Sequence, residues 1–372
     1  MNDPAQLNWL VPLLALALGA LFGAVAQRFN FCTMGAVADV VNFGDWRRMR
    51  MWLLAIVVAI AGTAALVAAG QIDLSKSIYT GAKVSWLSHL VGGLLFGFGM
   101  TIASGCGSKT LIRVGGGNLK SVVVLVFLGL AAYMTTRGAF APLRAFVLDP
   151  VQFDVGRLGA ASSDLGALAG SVGLGAGARG WLPYAVAAAV AAFVFANRDF
   201  RGAREMIFAG VVVGAVIVAG WYVSGHIGFV AEDPATLEEK FVRTNTGRME
   251  SFSLVAPIAF LIEMLILWTD GTRVVTFGIA GALGMIVGAG AMALLTRSFR
   301  WEGFASTEDL VNHIVGGILM GFGGVTALGC TIGQGLTGLS TLAVGSLLTF
   351  FAIVLGSVTA IKYQTWRLMR SD

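Results

Sequence analysis

The chain carries three cysteines, Cys32, Cys106 and Cys330, and each stands at an interruption in an apolar stretch. A thiol is a weak donor and a soft, polarizable group, so it suits a soft sulfur-bearing ligand better than sulfate or phosphate. Weak contacts also suit passage, because an ion held firmly does not leave. Two of the breaks share one pattern. Gly105-Cys106-Gly107 and Gly329-Cys330-Thr331 each end an apolar run, and a short helix-compatible run follows: Ser108-Lys109-Thr110-Leu111 and Ile332-Gly333-Gln334-Gly335. Glycines beside the cysteine let the backbone turn sharply and approach a ligand closely. A helix starting there aims unpaired N–H groups, and the positive end of its dipole, at the cysteine. The pattern predicts an anion site built from Gly105, Cys106, Gly107, Gly329, Cys330, Thr331 and Gln334, with Lys109 and Arg113 adding charge or guarding its mouth. Cys32, in Phe31-Cys32-Thr33-Met34-Gly35, stands beside a further expected helix start. Three thiols in series would form a relay of shallow sites.

Other polar residues admit plainer roles. His89 and His313 open repeated helices and read as caps. Asp39 and Glu263 lie within apolar stretches, where a carboxylate is expensive unless paired or wetted. Asp39 reads either as a carrier of a coupling proton or as the partner of a basic residue such as Arg28. Met34, Met100 and Met320 lie near the cysteines, and methionine with cysteine is also a soft-metal ligand set.

The elements that position these residues must lie in a membrane. The chain has 372 residues, 57% of them hydrophobic and 12% charged, with a mean hydropathy of +0.82. Soluble domains carry about 25% charged residues, so this chain has too few to cover a water-exposed surface. The same figures exclude a disordered, fibrous or nucleic-acid-binding protein. The net charge of +5, from 25 basic and 20 acidic residues, fits basic cytoplasmic loops. Three scattered cysteines make no disulfide framework. Glycine is abundant, at 51 residues, as expected for close helix packing and for backbone that leaves the helix beside a cavity.

Plain spans are predicted at Trp9–Ala26, Met51–Ala69, Leu119–Thr136, Trp181–Ala196, Glu205–Val223, Arg273–Leu295 and Ser340–Ile361. Trp9–Ala26 lacks a basic segment before it and reads as a spanning helix, not a cleaved signal. Phe29–Phe43, Trp86–Val114, Phe252–Trp268 and Leu310–Leu339 are apolar but interrupted, and read as broken or re-entrant. The basic segments Gly44–Arg50 and Asn197–Arg204 should both be cytoplasmic. Three plain spans between them cannot return the chain to one side, so either Trp86–Val114 crosses fully or Leu165–Ala178 adds a crossing.

The chain also repeats itself. His89 to Cys106 aligns without gaps on His313 to Cys330 at an offset of 224, with eleven of eighteen positions identical. A weaker match sets Phe31-Cys32-Thr33-Met34 opposite Phe252-Ser253-Leu254-Val255. The expected fold is therefore an all-α polytopic membrane protein: one domain over residues 1–372, with repeat halves of about 8–180 and 181–362. Its broken half-helices would meet near mid-membrane, a transporter pattern.

The twin glycine-rich blocks ending at Gly105-Cys106-Gly107 and Gly329-Cys330-Thr331-Ile332-Gly333-Gln334-Gly335, with Phe29-Asn30-Phe31-Cys32, resemble the YeeE/YedE family of bacterial sulfur-transport membrane proteins. The resemblance covers roughly residues 10–362. It implies a multi-pass protein of the bacterial inner membrane that takes up thiosulfate, with Cys32, Cys106 and Cys330 along an hourglass-like path. It also implies a TusA-like cytoplasmic sulfurtransferase as partner. No cofactor and no bond-breaking catalysis are expected. The alternatives are transport of another sulfur or selenium anion, a soft-metal transporter for Cu(I), and a membrane sulfurtransferase that forms a cysteine persulfide.

Overall fold

The computed structural model describes residues 4–175, 177–233 and 237–371. Its long helices are α1 (Pro4–Phe29), α2 (Thr33–Phe43), α3 (Arg47–Ala68), α4 (Trp86–Ile102), α5 (Gly107–Gly115), α6 (Leu119–Arg137), α7 (Ala178–Phe195), α8 (Arg204–Tyr222), α9 (Val255–Ile266), α10 (Phe277–Leu295), α11 (Thr307–Thr326) and α12 (Val344–Ser371). Among the described residues, strand is confined to two short antiparallel pairs, 83–84 with 153–154 and 229–230 with 240–241. Eight of the described helical stretches are long and apolar enough to cross a membrane, and two of them, Gln6–Phe43 and Trp86–Gly115, contain a break. The chain is an all-α multi-pass membrane protein.

Local signals set the helix ends. Asn118 caps α6 by accepting from Ser121 N–H at 2.8 Å, and Ser306 caps α11 by accepting from Asp309 N–H at 3.1 Å. Gly44 takes the left-handed conformation that stops α2 (φ 65°).

Glycines set how closely the helices approach. A Cβ at Gly92 would lie 2.7 Å from the Gly323 carbonyl oxygen, and one at Gly99 would lie 2.8 Å from that of Gly316. The reverse contacts, Gly323 on Gly92 and Gly316 on Gly99, are equally close at 2.6 Å. So α4 and α11 run antiparallel and cross backbone to backbone, which only glycine permits. The same approach seats α12 on α4 at Gly93 and α6 on α11 at Gly317.

These pairings define two faces. Arg50 donates to Phe193 O and, at 3.0 Å, to Val194 O, so α3 begins where α7 ends. The basic segments 44–50 and 197–204 therefore share one face. Asn118 donates to Glu302 at 2.8 Å and Lys120 pairs with Asp309 at 2.9 Å, placing the start of α6 beside the start of α11 on the same side. Between the two basic segments, α3, the α4–α5 stretch, α6 and α7 give four crossings. Trp86–Val114 thus crosses completely. Leu165–Ala178 is no span: Leu165–Ala169 is one helical turn packed beside the start of α7 on the opposite face.

The two acids that stand within apolar stretches are both paired. Glu263, only 2% exposed, is held by Arg137 at 2.9 Å and Arg273 at 3.2 Å. Asp39 pairs with Arg48 at 3.3 Å, not with Arg28, because α3 folds back along α2. Neither histidine is a cap. Both are buried inside their helices, His89 bonded to Thr349 Oγ1 at 2.7 Å and His313 to the Asp309 carbonyl at 2.7 Å.

Candidate permeation site

All three cysteines are placed by one local device. A helix stops at a residue in the left-handed conformation, the next residue's N–H bonds back across the last turn, and the cysteine follows. The left-handed residues are Asn30 (φ 53°), Ser104 (φ 56°) and Leu328 (φ 58°). The closing bonds are Phe31 N–H to Ala26 O (3.1 Å), Gly105 N–H to Met100 O (2.8 Å) and Gly329 N–H to Gly324 O (2.8 Å). The left-handed turn lies at Asn30, Ser104 and Leu328, none of them glycine, and of the glycines beside the cysteines only Gly329 (φ 158°) takes a conformation that side chains disfavour.

Those glycines have a different use. Gly107 is buried, yet a Cβ built there meets nothing within 4 Å. Open space therefore adjoins Cys106. At Gly105 a Cβ would sit 3.4 Å from the Lys109 side chain.

Each cysteine then starts the next helical turn, and its sulfur accepts from that turn. Gly35 N–H donates to Cys32 Sγ at 3.4 Å, and Gly333 N–H donates to Cys330 Sγ at 3.5 Å. The N–H groups of Ile332 and Leu254 also face Cys330. Cys106 Sγ lies 3.2 Å from Ser108 Oγ and beside Lys109 N–H.

The segments converge. Cys106 neighbours Cys32 on one side and the Thr331 hydroxyl on the other, and Cys330 follows directly. Cys106, Cys330 and Thr331 are 0% exposed and Cys32 is 5% exposed, so all four are buried inside the bundle. The Thr33 hydroxyl finds no hydrogen-bond partner among the described residues, and that of Thr331 has only the weakly bonding Cys106 thiol beside it. Buried polar atoms are normally paired, so these hydroxyls mark a place where a ligand can bond.

Toward the basic face, Lys109 lies near Cys32 and Cys106, with Nζ on Asn30 Oδ1 at 3.1 Å. Arg113 donates to Ser104 O at 2.7 Å. Toward the other face a cavity of about 200 Å³ reaches Ser253, Leu328 and Gly329. Gln334 donates to Ala327 O at 2.6 Å, while its Oε1 is buried and unpaired. Gln334 thus braces the turn after Cys330 from behind. Gly105, Gly107, Lys109 and Arg113 lie at the Cys106 break, and Gly329, Thr331 and Gln334 at the Cys330 break. Thr33 and Ser108 were not among the residues singled out in the sequence. Thr33 was legible as the residue that follows Cys32, just as Thr331 follows Cys330.

A multi-pass bundle whose central helices break at buried thiols and hydroxyls has the architecture expected of a membrane transporter. The chain belongs to the sulphur transport family, whose sequence profile matches residues 28–359. It is similar to the thiosulfate transporter TsuA of Spirochaeta thermophila, at 27% identity over 95% of this chain and 98% of that protein. It is also similar to the thiosulfate transporter TsuA of Escherichia coli, at 25% identity over 94% of this chain and 93% of that one. Family and relatives alike are transporters, not enzymes.

Proposed function

We propose that this protein takes up thiosulfate across the bacterial inner membrane, along a path that passes Cys330, Cys106 and Cys32. The observation that carries the reading is the line of Cys32, Cys106, Thr331 and Cys330 beside the open space at Gly107. Cys32 and Cys330 accept from backbone N–H groups of their own turns, and Cys32 and Cys106 are hydrogen-bonded to each other, an S–H contact that a bound substrate can take over. N–H groups gathered at helix starts favour an anion over a soft cation. Thiols offer a dianion contacts weak enough to be exchanged from site to site.

The repeat supports a two-sided path. Gly92–Gly323 and Gly99–Gly316 exchange under the 224-residue offset, as the contacts of an inverted repeat should. Cys32 stands beside Cys106, and Ser253 stands beside the turn of Cys330, with its Oγ 2.6 Å from where a Cβ on Gly333 would be. Each half thus contributes one long break and one shorter one. The basic face reads as cytoplasmic by its arginines. Substrate then enters at the Ser253 cavity and leaves past Lys109 and Arg113, where a TusA-like sulfurtransferase could receive it.

The test is uptake of labelled thiosulfate by purified protein in proteoliposomes, with sulfate, selenite and Cu(I) as competitors. Saturable uptake that unlabelled thiosulfate blocks and Cu(I) does not is the expected result. Transport of Cu(I) in place of thiosulfate would contradict the reading.

A further inference from the structure

The cavity outside Cys330 contains a carboxyl group that no ion pair explains. Glu250 lies on the connection between α8 and α9, and its main chain is pinned. Ser224 Oγ donates to Glu250 O, and Glu250 N–H donates to Ser224 Oγ at 3.2 Å. Its side chain lines the same cavity as Tyr79, Arg144, Ser253, Leu328 and Gly329, next to Cys330 in the chain. Oε1 is buried and has no hydrogen-bond partner among the described residues. The backbone N–H groups of Asn245 and Gly278 face the carboxyl.

No nearby cation forms an ion pair with Glu250 among the described residues. Arg144, the charged residue that shares the cavity lining, pairs with Asp149 at 3.4 Å. On Glu250's own connection, Arg248 donates to Ser77 O at 3.4 Å and Arg243 to Asn8 Oδ1 at 3.1 Å. Tyr79 lies close to both Glu250 and Cys330 and is the other titratable neighbour in the lining. From α10 and α9 only Gly278, Ala256, Pro257 and Phe260 reach the cavity, and none of them titrates.

An ionised carboxylate here would be buried without a cation and would repel any anion moving toward Cys330. A neutral carboxyl has neither defect, and its O–H becomes a donor aimed into the cavity. We propose that Glu250 is a proton-binding site of the transporter: the anion occupies this cavity only when Glu250 is protonated, so anion and proton bind together. The proposal rests on the thiosulfate reading above. Burial pushes the Glu250 carboxyl up to about 8. The group is then protonated at neutral pH and loses its proton as pH rises through that value. By linkage, a bound anion raises the proton affinity of Glu250 as much as the proton raises that of the anion.

Two measurements test this. In weakly buffered detergent solution at about pH 8.5, adding thiosulfate to wild-type protein should draw protons from solution, and at about pH 6 it should draw none, because the site is already filled. In proteoliposomes, wild-type uptake should fall roughly tenfold between about pH 7 and about pH 9, while Glu250→Gln, neutral at every pH, should vary by less than about twofold. The comparison of the two proteins isolates Glu250, because every other titratable group is common to both. Thiosulfate transport without proton uptake at about pH 8.5, or a Glu250→Gln profile that falls like the wild type, overturns the proposal while leaving the substrate standing. A wild-type protein that transports no thiosulfate at any pH overturns the substrate reading, and this proposal with it.

Discussion

The sulfurs of Cys32 and Cys330 accept from N–H groups of their own helical turns, so their S–H bonds must point elsewhere. At Cys106 the neighbours on offer are Cys32, Ser108 and Thr331, together with the open space at Gly107. That space gives a sharp test. Gly107→Ala meets no atom within 4 Å and replaces a helix-start glycine, so the fold should keep its stability or gain up to about 1 kcal/mol. The added methyl intrudes where the substrate would pass, and one methyl group in a fitted pocket is worth roughly tenfold or more. Thiosulfate uptake by Gly107→Ala should therefore fall by about that factor at normal membrane abundance. Wild-type uptake would place the space off the path. Charge at the mouth gives a second test. Lys109 sits within the first turn of α5 with its ammonium on Asn30. A cation there opposes the helix dipole, so it does not serve helix stability, and the proposed path gives it a use toward an anionic ligand or an acidic partner. Exchanging it for a carboxylate raises a barrier of about 4 kcal/mol against each unit of anionic charge at about 4 Å, for an effective dielectric near 20. Uptake by Lys109→Glu should fall roughly a hundredfold or more, with Lys109→Gln milder. Equal, near-wild-type uptake by both would remove Lys109 from the path.

At the scale of the elements, the paired crossing of α4 and α11 is the frame that holds the breaks in register. A side chain at Gly99 or at Gly316 would press on the other's backbone carbonyl, at 2.8 and 2.6 Å for the Cβ alone. Backbone cannot yield as a side chain can, and overpacking costs about 1–3 kcal/mol or more. Gly99→Val and Gly316→Val should both lose the monodisperse peak in size-exclusion chromatography, while Gly105→Ala, with its nearest atom a flexible lysine carbon at 3.4 Å, should keep it. A well-behaved Gly99→Val protein would contradict the packing. This frame was largely legible beforehand. The spans, the interrupted stretches and the His89–Cys106 to His313–Cys330 match could be read because apolar length and identical spacing survive in one dimension. The turns could not. Ser104 and Leu328 take the left-handed conformation although only glycine does so without cost, because the closing N–H bond and the packed helix ends hold them there. The partner of Asp39 was hidden as well, since Arg48 reaches it only after α3 folds back.

For the whole molecule, what the sequence withheld is juxtaposition across long separations. Nothing local says that Thr331 meets Cys106, or that Glu250, in a long polar connection, lines the approach to Gly329 and Cys330. Those contacts exist because the helices of the first half cross those of the second. In the proposed path they join three separate breaks into one line between two faces, one bearing Lys109 and Arg113 and the other Glu250. A line of this kind fails as a unit when its middle member is removed. The most direct measurement is thiosulfate-dependent growth, and labelled thiosulfate uptake, of cells that lack other thiosulfate uptake and carry either the wild type or Cys106→Ala at equal membrane abundance. Alanine keeps a small apolar group at the N-cap of α5 and removes only the S–H. The account predicts that Cys106→Ala folds normally and that uptake falls to background. Wild-type growth and uptake by Cys106→Ala would show that the thiol only fills space, and would contradict a path through the cysteines.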